Sequence, residues 1–264
     1  MMTIYWQHHT CLLTGATGGI GKEIAKALAA RGVTLLLTGR SQEKLAELHN
    51  ILPGKHILLC ADLNEPAGME KVVEAARRHQ VSMLINNAGC NVTGEFHHMH
   101  PATLSTLMNT NLALPMQLTL RLLDQFLTLK QAVIVNVGST FGSIGYPCNS
   151  VYCATKFGLR GWTESLQREY AHSPLQIYYL APRATQTSIN SDAMVNMNKA
   201  LGNQMDAPQV VADALISQLQ NNSARRFIGF PEKLFARING AFPGLVDNAL
   251  IKQLPTIKRY LATH

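Results

Sequence analysis

Short, nearly continuous apolar runs alternate along the chain with longer segments whose apolar residues recur every three or four positions. Runs at 11–14, 33–38, 57–61, 83–86, 132–137 and 176–180 have strand length, and a weaker one lies at 226–229. Segments 20–30, 41–52, 67–79, 101–129 and 150–172 carry helical periodicity. A strand without polar alternation is buried on both faces, and strands that alternate with helices pair in parallel. The pattern predicts an α/β fold, a single Rossmann-like, doubly wound domain with a parallel sheet of about seven strands. No internal repeat, low-complexity tract or Gly/Ser linker interrupts it.

The last part of the chain differs. From Phe230 onward Leu234, Ile238 and Phe242, then Val246, Leu250, Leu254, Ile257 and Leu261, form apolar stripes broken at Pro243 and Pro255. This predicts a pair of amphipathic helices at 231–264, extending a main domain at 1–230. Between them and the last clear strand, the polar stretch 187–205 carries Met194, Met197 and Met205. Methionines suit an adaptable apolar pocket and equally suit core filling.

Charge sharpens that picture. Residues 225–264 hold Arg225, Arg226, Lys233, Arg237, Lys252, Lys258 and Arg259 against Glu232 and Asp247, which is +5 of the chain's +7. Such a tract could meet an anionic membrane, an acidic carrier protein, an anionic substrate or a nucleic acid, or be a solvated helical face. No stacking aromatics accompany the cations, which speaks against nucleic acid. Helix packing against the domain or a sister subunit is the default for the amphipathic stripes. A membrane surface and a lipophilic substrate site are the other two outcomes.

Composition mainly excludes. The 264 residues are 47% hydrophobic and 15% charged, as in a globular domain with ample core. No apolar run reaches the roughly 18 residues of a membrane span. The segment 1–10 lacks the basic and apolar regions of a secretory signal. Cys11, Cys60, Cys90, Cys148 and Cys153 are odd in number and form no CxxC pair, so reduced thiols in a cytoplasm are expected.

Three short motifs carry the chemistry. Thr14-Gly15-Ala16-Thr17-Gly18-Gly19-Ile20-Gly21 follows the first strand and opens the first helix. Glycines there allow a tight turn and let backbone N–H groups approach a pyrophosphate at a helix N-terminus. Its spacing is GxxxGxG rather than GxGxxG. The second strand ends Thr38-Gly39-Arg40-Ser41, without the acid that would bond a ribose 2′-hydroxyl. A guanidinium there suits a 2′-phosphate, so NADP(H) is favoured over NAD(H). Finally, Tyr152-Cys153-Ala154-Thr155-Lys156 sets a phenol and an ammonium one helical turn apart. Composition alone supplies about 0.3 such pairs by chance, so this motif depends on its surroundings.

Those surroundings give the chain a family likeness. With Asp62-Leu63 after the third strand, Asn87-Ala88-Gly89 after the fourth, Asn111, Ser139, and Pro182 with Thr187 after the sixth, residues 10–190 resemble the short-chain dehydrogenase/reductases. The likeness is to the single-domain branch with TGxxxGxG and YxxxK motifs. It implies that Tyr152 is the general acid or base, that Ser139 orients the substrate oxygen, and that Asn111 holds a relay water. It implies that Lys156 binds the nicotinamide ribose and lowers the tyrosine's pKa. Cofactor contacts would come from Gly15, Thr17, Gly18, Gly19, Ile20, Gly21, Arg40 and Ser41. Asp62 and Leu63 would flank the adenine, and Asn87, Ala88, Gly89, Pro182, Thr185 and Thr187 would complete the cleft. Two positions depart from the usual pattern: Gly138 replaces a serine, and Arg183 replaces a glycine after Pro182.

The expectation is therefore an NADP(H)-dependent oxidoreductase that reduces a hydrophobic ketone or aldehyde. It would be a cytoplasmic homodimer or homotetramer, with peripheral contact to an anionic membrane or acidic carrier open through 225–264. Reduction of a 3-oxoacyl group on an acyl carrier protein is the alternative within enzymes. A non-catalytic NADP(H) sensor or scaffold is the alternative outside them. His97, His98 and His100 cluster locally but show no Cys or carboxylate partner at ligand spacing, so no metal is expected.

Overall fold

The computed structural model describes residues 4–230 and 232–261; the first three positions of the 1–10 segment, position 231 and the last three residues lie outside it. Seven parallel strands, β1 (Thr10–Leu13), β2 (Thr34–Gly39), β3 (Ile57–Cys60), β4 (Met83–Asn86), β5 (Ala132–Val137), β6 (Leu175–Ala181) and β7 (Arg225–Phe227), form one sheet. Their order is β3-β2-β1-β4-β5-β6-β7, so the chain reverses direction across the sheet between β1 and β4. Ligands of open α/β sheets sit at the strand C-termini beside such a switch point.

The inner strands β1, β2, β4, β5 and β6 bury both faces, as the unbroken apolar runs require. Leu12, Leu36, Leu84, Ile134 and Ile177 stand in one register row across five strands. They pack under α3 (Pro66–Arg78) and α5 (Leu114–Thr128). Cys11, Leu35, Ile85, Val135 and Leu180 face the other way, under α1 (Gly19–Ala29), α2 (Gln42–Asn50) and α8 (Pro208–Gln220). The last strand is three residues long, shorter than the apolar run suggested.

The long helical segment 101–129 proves to be α4 (Pro101–Met108), a π turn (Asn109–Ala113) and α5 in unbroken succession. A π turn widens the helix by one residue and so re-aims the side chains on it; such turns cluster at functional sites. This one carries Asn111. The other face-forming helix, α6 (Ser150–Glu169), carries the Tyr152/Lys156 pair.

At the C-terminal end, α7 (Asp192–Ala200) and α10 (Pro243–Leu261) make a small third core, and α9 (Glu232–Ala241) packs on α10. Met194 and Met197 are buried there with Tyr146, Cys153, Ile257 and Leu261. The methionines are therefore filler between α7 and α10. Pro243 opens α10 as expected, but Pro255 lies inside it and does not end it. Proline in a helix interior costs about 3 kcal/mol. Burial of Ile257 and Leu261 beyond it offsets that cost and carries the helix through.

Candidate active site

The glycine-rich turn is shaped by close approaches. Gly15 has φ +62°, and a Cβ on it would stand 2.8 Å from Ala88 Cα. A Cβ on Gly21 would meet Gly15 O at 2.2 Å, and one on Gly19 would meet Thr187 Cγ2 at 2.8 Å. Gly18 is the N-cap of α1, so the N–H groups of its first turn face outward from the sheet edge. Thr17 lies against Gly39 at the end of β2, and Ile20 packs on the core.

Asn87 braces this turn. Its Nδ2 donates to Thr14 O at 3.0 Å and Gly15 O at 3.1 Å, while Thr14 Oγ1 accepts from the backbone of Asn87 and Ala88. Its amide thus holds the cradle's wall rather than facing a ligand. At the far end, Arg40 is exposed and Ser41 caps α2, its hydroxyl accepting from Lys44 N at 3.3 Å. The Asp62 carboxylate accepts from Asn64 N and Nδ2. Those hydrogen bonds first, and the charge of Arg40 last, hold its pKa below the usual carboxylate range. Leu63 is half-buried against the core beneath α3.

The four residues implied as catalytic converge at the C-terminal ends of β4 and β5. Lys156 is buried and donates to Val137 O at 3.1 Å, with its ammonium 5.6 Å from the Tyr152 ring centroid. Burial pulls its pKa from 10.5 to about 8. Burial also pushes the Tyr152 phenol above its ordinary range, and a hydrogen bond from Ser139 only partly opposes that. Asn111 is buried: its Oδ1 accepts from Cys90 N and its Nδ2 donates to Cys90 O, both at 2.9 Å, and to Thr155 Oγ1 at 3.3 Å. Gly89 lies over the group, its would-be Cβ 3.2 Å from Asn111 Oδ1 and 3.9 Å from Lys156 Nζ.

Three partners were not visible in the sequence. Tyr179, buried on β6, hydrogen-bonds the Ser139 backbone. Arg183 grips Asp206 with Nε to Oδ2 at 2.9 Å and Nη2 to Oδ1 at 2.7 Å, and also reaches Phe230 O and Gln204. It ties the segment after β6 to the entry of α8. Phe141 stacks on Tyr146 at 4.7 Å and meets Tyr152 edge-on at 6.4 Å. Beyond Phe141 opens a cavity of about 180 Å³, lined by Ile144, Tyr146, Phe235, Val246 and Leu250 among others. Thr185 is buried with its hydroxyl turned back to Arg183 O, and Pro182 O accepts from Thr140 N.

Near this region Glu95 brings a carboxylate to the histidines that the spacing left without one: ligand atoms of Glu95, His97 and His98 lie within 4.8 Å of one another. Glu95 is also ion-paired to Lys258, and His100 caps α4 by accepting from Ala102 N.

Residues 9–198 match the short chain dehydrogenase family. The chain is 34% identical over 220 residues to ketoacyl reductase HetN of Nostoc sp., covering 81% of this chain and 76% of that one. It is 30% identical over 229 residues to the 3-oxoacyl-[acyl-carrier-protein] reductase FabG of Vibrio cholerae, covering 85% and 91%. Among solved structures, a Sphingobium yanoikuyae short-chain dehydrogenase in complex with NADPH superposes with TM-score 0.77 at 25% identity, over 90% and 95% of the two chains. A Burkholderia phymatum enzyme in complex with NAD shares the fold, with TM-score 0.83 at 18% identity over 92% and 96%. The chain belongs to the short-chain dehydrogenase/reductase family of oxidoreductases.

Proposed function

We propose that this protein is an NADP(H)-dependent reductase of a hydrophobic ketone or aldehyde. The observation that carries the reading is the meeting of Asn111, Ser139, Tyr152, Lys156 and Gly89 at the sheet's C-terminal edge, one aromatic ring away from an apolar cavity. The glycine cradle fits a dinucleotide: glycine at 15 and 21 lets the turn close on itself, and a side chain at 19 would reach across to Thr187. Bound there, the nicotinamide supplies the hydride.

The chain's own groups do the rest. Ser139 orients the carbonyl oxygen, and Tyr152 gives it a proton as the alkoxide develops. A phenol holds its proton at neutral pH, so Tyr152 is ready to act as the acid in reduction. Lys156 places a positive charge beneath the ring, and Asn111 holds the Cys90 peptide and a relay water. Arg40, in place of an acid, favours the 2′-phosphate of NADP(H). The free thiols of all five cysteines fit a reducing cytoplasm.

The similarity to ketoacyl and 3-oxoacyl reductases favours a second reading, reduction of a 3-oxoacyl thioester on an acidic carrier. One assay separates the readings: NADPH and NADH oxidation with ketones, aldehydes and 3-oxoacyl thioesters, run on wild type, Tyr152→Phe and Arg40→Asp. Turnover should prefer NADPH and fall by about 10²–10⁴ in Tyr152→Phe. Arg40→Asp should lose about ten- to a hundredfold in NADPH preference. Tight NADPH binding without turnover on any carbonyl would replace the enzyme reading with the sensor.

A further inference from the structure

The last two helices turn their inner side to the domain and leave an unusual outer side in water. Inward, Phe235, Val246 and Leu250 wall the apolar cavity, and Ile257 and Leu261 are buried beside α7. Outward, Phe230 is 76% exposed, Phe242 67%, and Leu245 and Ile251 64% each. Four large apolar side chains so exposed within 22 residues of chain exceed the scattered singles normal for a protein surface.

Positive charge collects beside this stretch, where α9 meets β7 and α6. Lys233, Arg237 and Lys252 are exposed, and among the described residues no carboxylate pairs with them. Lys233 and Arg237 share an open cleft of about 790 Å³ with Arg160, Arg225 and Arg226. The acid beside that cleft, Glu164, is engaged by Arg160 at 2.9 Å and Arg225 at 3.4 Å. Within 230–252 the sequence sets Glu232 and Asp247 against Lys233, Arg237 and Lys252, so the excess lies at the cleft, where Arg160, Arg225 and Arg226 join Lys233 and Arg237.

A second copy of the chain is a poor occupant. A two-fold interface brings the same patch to itself and would oppose these cations to one another. An acidic protein would answer the cations but would also need fitted pockets for four apolar side chains spread over 22 residues. An anionic bilayer answers both at once, with apolar side chains at the acyl boundary and cations at the phosphates. We propose that α9 and the first half of α10 dock this protein on an anionic lipid surface, with Phe230, Phe242, Leu245 and Ile251 inserted and the Lys233/Arg237 cleft on lipid phosphates. The docking is independent of the hydride-transfer reading, because it needs neither substrate nor cofactor.

Flotation of the full chain with vesicles tests it, using phosphatidylcholine alone and phosphatidylcholine mixed with phosphatidylglycerol. Binding is expected to the mixed vesicles only and to weaken as salt rises. Lys233→Glu with Arg237→Glu should weaken it by at least about thirtyfold, and Phe242→Ser with Leu245→Ser by at least about tenfold. Both pairs should keep the wild-type melting temperature and NADPH turnover of a soluble ketone. If a pair melts early, the salt titration of the wild type decides. Equal binding to neutral vesicles, or none to either, overturns the proposal. So does anionic binding untouched by the Phe242/Leu245 pair, since that is adsorption by charge alone. Loss of an oligomer in these variants, without vesicle binding by the wild type, assigns the face to a second copy instead.

Discussion

The phenol of Tyr179 holds the backbone of Ser139 on both sides, accepting from its N–H at 3.4 Å and donating to its C=O at 3.2 Å. The ring reaches there through space that neighbouring residues leave open. A Cβ at position 138 would stand 2.2 Å from the ring's Cζ, and one at 142 would stand 2.4 Å from its hydroxyl. Gly138, in a position where the family usually has serine, is thus coupled to Tyr179, an aromatic residue on β6. The pair sets the backbone from which the Ser139 hydroxyl projects.

That coupling predicts a particular pattern of variants. Tyr179→Phe keeps the ring and leaves the Ser139 N–H unpaired, while its C=O still accepts from Gly142 N at 2.9 Å; this should cost about 1 kcal/mol. As the serine loosens, kcat should fall several-fold with KM nearly unchanged. Gly138→Ser should destabilise by about 3 kcal/mol through overpacking. Combined with Tyr179→Leu it should recover part of that loss. Urea unfolding of the single and double variants measures this, and strictly additive effects would show that the two residues do not compete for space.

Lys156 makes stability depend on pH in an alkaline window. Its folded pKa, about 8, lies below the unfolded 10.5, so between those values the unfolded chain holds a proton that the folded one has released. The lysine's contribution to stability must therefore rise with pH across that window. Below it, the folded protein bears the full cost of a buried ammonium. The raised phenols, Tyr152 among them, act with the opposite sign but only above pH 10. Comparing wild type with Lys156→Met isolates the lysine. From pH 7 to about pH 9.5 the wild type should gain about 2 kcal/mol relative to the variant in urea unfolding. A gap that stays constant would mean that the ammonium keeps its proton through a partner other than Val137 O.

How much of this was legible follows from where the signals lie. Strands β1 to β6 could be read because a strand with buried faces leaves an unbroken apolar run, and the glycine-rich turn, Arg40, Asp62, Asn87 and Ser139 each follow the end of one. The last strand, Arg225–Phe227, has two exposed or half-exposed arginines and gives almost no such signal. The π turn at Asn109–Ala113 changes hydrogen-bond register without changing composition, so periodicity reads straight through it. Pro255 looked like a helix end because local propensity knows nothing of Ile257 and Leu261 packing beyond it. The grip of Arg183 on Asp206, 23 residues away, and the cage around Tyr179 are tertiary contacts for which no local pattern exists.

The remaining exposed apolar stripe leads to assembly. On α5, Leu120 is 71% exposed and lies one turn from Met116 and two turns from Leu127, both partly exposed on the same side. Phe157 on α6 is exposed as well, and a Cβ on Gly161, one turn further, would touch nothing. Unlike α9 and α10, this stripe carries no excess of one charge, so a two-fold copy can cover it without repulsion. We expect the 29.0 kDa chain to form a dimer or tetramer through these helices. Leu120→Glu with Phe157→Glu should shift the mass seen by light scattering to that of the monomer, while the melting curve of the isolated fold changes little. A wild-type monomer would refute the assembly outright. An oligomer that survives both substitutions would move the interface to another face, and the α9–α10 surface would then have to be reconsidered as that face.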